Sequence, residues 1–244
     1  SLSAADLFTY LYFEEMNIDP KDPKKADRDR FVLSKGHSAP ALYAALCKAG
    51  YFKREELWCL RQIGAMLQGH PDRKGTPGVD ASTGSLGLGI SAACGMAKAA
   101  KIYQNHYRVY ALLGDGEMEE GSVWEALMFA AHYGLDNLCV MVDANGLQID
   151  GPVRKVMNVE PIDKKLQAFG FETICIDGHD FPSIFKAFDL ARQTKGAPFA
   201  IVARTVKGKG VSFMENDASW HGSAPNTQQY EQAMAELRKG DAQS

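Results

Sequence analysis

Two residues suited to chemistry stand thirty positions apart, Asp115 and Asn145, each just past an apolar run. Asp115 sits in Gly114-Asp115-Gly116 after VYALL (109–113), and Asn145 sits in Asp143-Ala144-Asn145-Gly146 after LCVMV (138–142). Short apolar runs bounded by turn residues read as buried parallel strands. The carboxyl ends of neighbouring parallel strands are where such sheets bind ligands. A carboxylate, an amide oxygen and a backbone carbonyl just beyond it, that of Leu147, form a donor set for a hard cation such as magnesium. That ion takes about six oxygens and completes its shell with ligand phosphates and water. The glycines beside Asp115 permit a tight bend and close approach of backbone to ligand. The competing structural reading is that Asp115 caps a helix and Asn145 fills a turn.

Both residues depend on the elements that deliver them. After the GDG turn, Val123, Trp124, Leu127, Met128 and Ala131 recur at helical spacing. Upstream, residues 4–16 place Leu7, Phe8, Leu11 and Tyr12 on one helical face, and FVLSKGHSAPALYAAL gives a short strand, a turn at Gly36 and a helix from about Ala39. Residues 53–63 suggest another short helix, and residues 90–102 a helix rich in small side chains. Downstream, the pattern predicts a helix over 160–169, a strand over 172–176, a helix over 181–193, a strand over 198–206 and an amphipathic helical cap over 227–238. This alternation predicts one α/β domain over 1–244, a doubly wound, mostly parallel sheet with helices on both faces. Between the helical segments 53–63 and 90–102 runs GAMLQGHPDRKGTPGVDASTGSLGLG, a connection whose length points to function or disorder.

Composition removes several classes. The 244 residues carry a formal net charge of -3, and no basic run gathers on one segment, which argues against nucleic acid as a partner. No apolar stretch approaches membrane-spanning length, and no targeting segment is visible, so no membrane role and a cytoplasmic location are expected. Five cysteines form no CxxC pair and read as buried, reduced thiols. GLGISA (87–92) fits a dinucleotide fingerprint, but no strand precedes it; KGKG (207–210) lacks phosphate-loop spacing. His179, in a turn, reads as a local hydrogen bonder, and Glu117 and Glu119 read as charges at a helix N-terminus.

GDG followed by Asn at this spacing resembles the signature of thiamine-diphosphate enzymes, and GDGEMEEG is most similar to the transketolases. Further stretches resemble transketolases in register: FVLSKGH with His37, GHP…PGV…STGSLG with His70, Gly84, Ser85 and Leu86, and the loop ending in WHGSAP with His221. Met214, Glu215, Asn216 and Trp220 match versions of that loop in two-gene bacterial transketolases. Leu88 departs from the pattern, since many relatives carry Gln there.

The resemblance implies a diphosphate-binding domain holding thiamine diphosphate through Mg2+ (or Ca2+ or Mn2+ in its place). Asp115, Asn145 and the Leu147 carbonyl would be metal ligands, and Gly116 would offer its N–H to the diphosphate. Gly84, Ser85, Leu86 and Ile149 would also contact the cofactor. His37, His70 and His221 would ring the reacting carbon, titrating near the ordinary imidazole value of about 6.5. Glu120 would join a proton relay to a glutamate on a pyrimidine-binding domain. That domain and a C-terminal domain are expected on a separate chain, two copies of each forming the assembly. The implied reaction moves a two-carbon ketol unit from a ketose phosphate to an aldose phosphate. Alternatives are a deoxyxylulose-phosphate synthase, one chain of a 2-oxoacid dehydrogenase, or a scaffold chain that holds cofactor without turnover.

Overall fold

In the computed structural model, which describes residues 1–241, five apolar runs pair as parallel strands. In chain order the elements begin with α1 (Ala5–Tyr10), prolonged by a π-helical turn (Leu11–Glu15), then β1 (Arg30–Leu33) and α2 (Ala39–Ala49). Next come α3 (Leu88–Ile102), β2 (Val109–Gly114), α4 (Gly121–His132) and β3 (Leu138–Ala144). A small antiparallel pair, β4 (Leu147–Gln148) and β5 (Gly151–Pro152), precedes α5 (Val153–Val156) and α6 (Ile162–Ala168). The chain finishes with β6 (Glu172–Asp177), α7 (Phe181–Gln193), β7 (Phe199–Arg204) and α8 (Thr227–Asp241).

The main sheet has the order β1-β2-β3-β7-β6, all parallel. Alternation of side chains along each strand splits the core in two. Tyr110 and Leu112 face one side with residues of α1, α2 and α7; Val109, Ala111 and Leu113 face the other with residues of α3, α4 and α6. Every residue of β3 is buried, as expected of a central strand covered on both faces. The chain advances from β1 to β3, jumps to the far edge at β6, then returns to β7 beside β3. Strand order reverses there, the arrangement in which such sheets form a binding crevice at the carboxyl ends of their strands.

Residues 53–63 depart from expectation. They hold only a 3-10 stretch, Arg54–Cys59, with no buried residue, so no apolar face is packed to sustain an α-helix. The cysteines depart in part: Cys94 and Cys139 are buried, Cys47 and Cys59 half-buried, and Cys175 is exposed on the edge strand β6. The long connection before α3 is ordered by named contacts. Asp80 is paired with Arg28, both buried, and accepts the Phe31 N–H at 2.8 Å. The Tyr43 hydroxyl lies 2.9 Å from the Gln68 carbonyl and 3.0 Å from that of His70. Among the described residues, no helix is long and apolar enough to cross a membrane.

Candidate active site

The register aligns Gly114 with Asp143, so β2 and β3 end flush and present Asp115 and Asn145 side by side. Asp115 accepts the Gly116 N–H at 2.9 Å through Oδ1 and the Gly146 N–H at 2.5 Å through Oδ2. The Asn145 amide oxygen accepts the Leu147 N–H at 3.1 Å. These bonds fold the two turns onto one another. They also engage the Gly116 N–H, which the resemblance assigns to a diphosphate, with the carboxylate beside it. Burial pushes the Asp115 carboxyl up to about 6, the neighbouring Asp143 adds to the shift, and two backbone N–H bonds oppose it. A buried carboxylate that ionises at such cost is one that a bound cation would relieve. A cleft of about 370 Å³ opens beside it, lined by Asp115, Asn145, Leu147, Arg154 and Asn216 among others.

The histidines assemble from separate loops. His37 and His221 stack with ring centroids 5.2 Å apart. Lys207 Nζ lies 2.9 Å from His221 Nδ1. An ammonium can only donate, so His221 accepts at Nδ1 and carries its proton on Nε2. His70 lies against Gly84: a Cβ placed there would come within 3.3 Å of the imidazole. Gly84 in turn packs on Gly36, where a Cβ would sit 2.8 Å from the Gly84 nitrogen. The loops carrying His37, His70 and Gly84–Leu86 are therefore in contact. Glu120 lies exposed at the start of α4, next to Gly87, and Ile149 is 71% exposed on the turn between β4 and β5.

His37 and His221 do not titrate near 6.5 as expected. His37 is exposed as a residue, yet desolvation of its imidazole lowers it to about 4, with Lys35 and His221 adding to the effect. Burial and then Lys207 lower His221 as well. Both are neutral at pH 7, able to hydrogen-bond but carrying no positive charge.

Four residues without an assigned chemical role tie this site together. Lys35 pairs with fully buried Asp143, which also accepts from Ser3 Oγ at 2.6 Å and from Thr205 Oγ1. Burial alone would raise Asp143, but Lys35 and these hydrogen bonds outweigh it and hold the carboxyl at about 2. Lys207, half-buried, orients His221. Glu117, read from sequence as a helix-terminal charge, is 2% exposed and is bound by three donors. Glu119 instead accepts from Gln148 at 2.8 Å. His179 is structural, as expected: its Nε2 accepts the Val206 N–H at 2.9 Å, so Nδ1 carries the proton donated to Asp6 at 2.7 Å.

Among the described residues, no three His, Cys, Asp or Glu side chains converge as a metal cage. A cation here would draw on Asp115, neutral oxygens and its own ligand. That donor set suits magnesium bound with a phosphate group and does not suit zinc.

Known proteins carry the same pattern. Residues 1–240 match the family model described as the transketolase thiamine diphosphate binding domain. The chain is 44% identical over 242 residues to the 6-deoxy-6-sulfo-D-fructose transketolase subunit of Clostridium sp. strain MSTE9, covering 99% of this chain and 88% of that protein. It is 42% identical over 236 residues to an apulose-4-phosphate transketolase subunit of Phocaeicola vulgatus, covering 97% of this chain and 84% of that one. The crystal structure of Campylobacter jejuni transketolase superposes with a TM-score of 0.91 at 34% identity, over 97% of this chain and 38% of that chain. With its parallel sheet, its paired strand-end turns and a family match over nearly its whole length, the chain belongs to the transketolase family as a thiamine diphosphate binding domain.

Proposed function

We propose that this chain is the diphosphate-binding subunit of a split transketolase, completed by a partner that carries the pyrimidine-binding and C-terminal domains. One observation carries the reading: Asp115 and Asn145 meet at adjacent strand ends, at the same end of the sheet as the stacked His37–His221 pair. Asp115, Asn145 and the Leu147 carbonyl would hold Mg2+, and with it the diphosphate of thiamine diphosphate. For Gly116 to serve the diphosphate, the Asp115 carboxylate must release its N–H. Thiamine diphosphate supplies a nucleophilic carbon that carries the two-carbon unit between sugars.

The chain's own residues bind, orient and move protons around that carbon. Gly84, Ser85 and Leu86, held in place by His70 and Gly36, form one wall for the cofactor rings, and Ile149 contacts it from the opposite turn. His221, held by Lys207 with its proton on Nε2, donates to a substrate oxygen. His37 and His70, on loops that touch through Gly84, hold the substrate hydroxyls and take up or return protons there. Glu120, exposed at the start of α4, reaches a glutamate on the partner. The exposure of His37, His70, Ser85, Glu120 and Ile149 gives the site an open face for that partner. Two copies of each chain would form the assembly.

The donor and acceptor sugars follow mostly from the partner's residues. The relatives named above carry different sugars in their names, and pentose phosphates are the default by analogy.

Thermal unfolding of the chain and of its native complex, with and without ligand, tests the anchoring half of the proposal. Thiamine diphosphate with Mg2+ should raise the melting temperature of the complex, and neither component alone should do so. A rise with NAD but none with thiamine diphosphate would replace this reading with a dinucleotide site.

A further inference from the structure

Helix α3 has no capping side chain of its own: its N-cap is Gly87, at φ +81°, and no side chain there bonds the first turn. The first N–H groups of a helix need acceptors when buried. Here they find them on two other strands. Glu117, after β2, accepts the Gly87 N–H at 2.9 Å through Oε1, and Ser34, after β1, accepts the Ile90 N–H at 3.1 Å through Oγ. The Ser34 hydroxyl donates to the same Glu117 oxygen at 2.6 Å, while Glu117 Oε2 accepts the Gly114 N–H at 3.2 Å. One buried carboxylate thus clasps the ends of β1 and β2 and the start of α3.

The backbone has closed tightly around this clasp. A Cβ at Gly89 would lie 2.5 Å from the Ser34 Cα, and one at Gly87 would lie 2.3 Å from Ser122 Oγ and 2.9 Å from the Glu120 Cβ. On one side of Glu117 stands the Gly114-Asp115-Gly116 turn; on the other, Gly84-Ser85-Leu86 runs directly into Gly87. The negative charge at the N-terminus of α3 also opposes that helix's positive end, so α3 is not left to attract an anion.

We infer that Glu117 is a positioning residue: it fixes the distance between the turn that anchors the cofactor's diphosphate and the loop that packs against its rings. The inference rests on the functional reading above, since it assumes that these two loops share one ligand. Glu117 itself, 2% exposed beneath the loops, would act through them rather than by touching the ligand.

The test compares wild type, Glu117→Gln and Ser34→Ala in the assembled complex. Glutamine keeps the size and one acceptor but turns an N–H group toward the Gly114 N–H; alanine removes one link and leaves Glu117 in place. Affinity for thiamine diphosphate at saturating Mg2+, followed by protein fluorescence, should fall about tenfold in Glu117→Gln and less in Ser34→Ala. Circular dichroism and association with the partner should stay as in wild type. Hydrogen exchange supplies a second readout that needs no cofactor: the Gly87, Ile90 and Gly114 amides should exchange faster in both variants, while the β3 amides should not. Wild type that fails to bind thiamine diphosphate would remove the functional reading, and the clasp's linkage of two cofactor loops with it. Wild type that binds, with both variants binding equally well and exchange unchanged at those amides, would overturn the role of Glu117 alone.

Discussion

Asp115 and His37 both lie far from their ordinary titration range, in opposite senses of charge and for the same reason, burial. Asp115, at about 6, is a carboxylate awaiting positive charge. Asp115→Ala should therefore abolish the Mg2+-dependent binding of thiamine diphosphate, read as loss of the ligand-induced rise in melting temperature; an unchanged rise would exclude Asp115 from the site. His37, at about 4, resists a proton that an unfolded imidazole takes near 6.5. Between those values the unfolded chain binds the extra proton and the folded chain does not. Stability present above about pH 6.5 is therefore lost as pH falls toward 4. Because His37 is exposed as a residue, solvent screening makes this loss smaller than for an enclosed imidazole. Urea unfolding at about pH 7 and about pH 5 should show that His37→Gln loses less stability on acidification than wild type does. Equal losses would mean that His37 protonates normally.

Elements explain why some of these residues were legible in the sequence and others were not. Asp115 and Asn145 could be placed because each follows an apolar run, and a parallel sheet sends both to one edge. Lys35 and Asp143 could not be paired this way: they are 108 residues apart, and their contact depends on strand order, which periodicity does not encode. The clasp of Glu117 on Ser34 spans 83 residues and looked from sequence like a charge at a helix start. The helix expected over 53–63 failed because helical composition without a buried face is a weak determinant. The long connection before α3 is an element in its own right, pinned by Arg28 and Asp80, whose side chains are 9% and 5% exposed. Asp80→Ala leaves a buried guanidinium without its partner and removes the acceptor of the Phe31 N–H. It should cost about 3–5 kcal/mol in urea unfolding and open residues 64–87 to proteolysis. A loss under about 1 kcal/mol would place the loop's anchor elsewhere.

At the scale of the molecule, the chain spans 38% of the Campylobacter transketolase it overlays and most of the subunit-type relatives it matches. At the carboxyl ends of its strands, His37, His70, Ser85, Glu120 and Ile149 are exposed rather than enclosed. On the proposed reading, a second surface from the partner would exclude water and complete a proton relay from Glu120. Ketol transfer from xylulose 5-phosphate to ribose 5-phosphate with thiamine diphosphate and Mg2+, measured on the isolated chain and on the complex purified from its native cells, separates a subunit from a complete enzyme. Turnover is expected from the complex, lost when the cofactor is removed, and none from the chain alone. Turnover by the isolated chain, or a cofactor-loaded complex inert toward every ketose and aldose offered, would contradict that expectation.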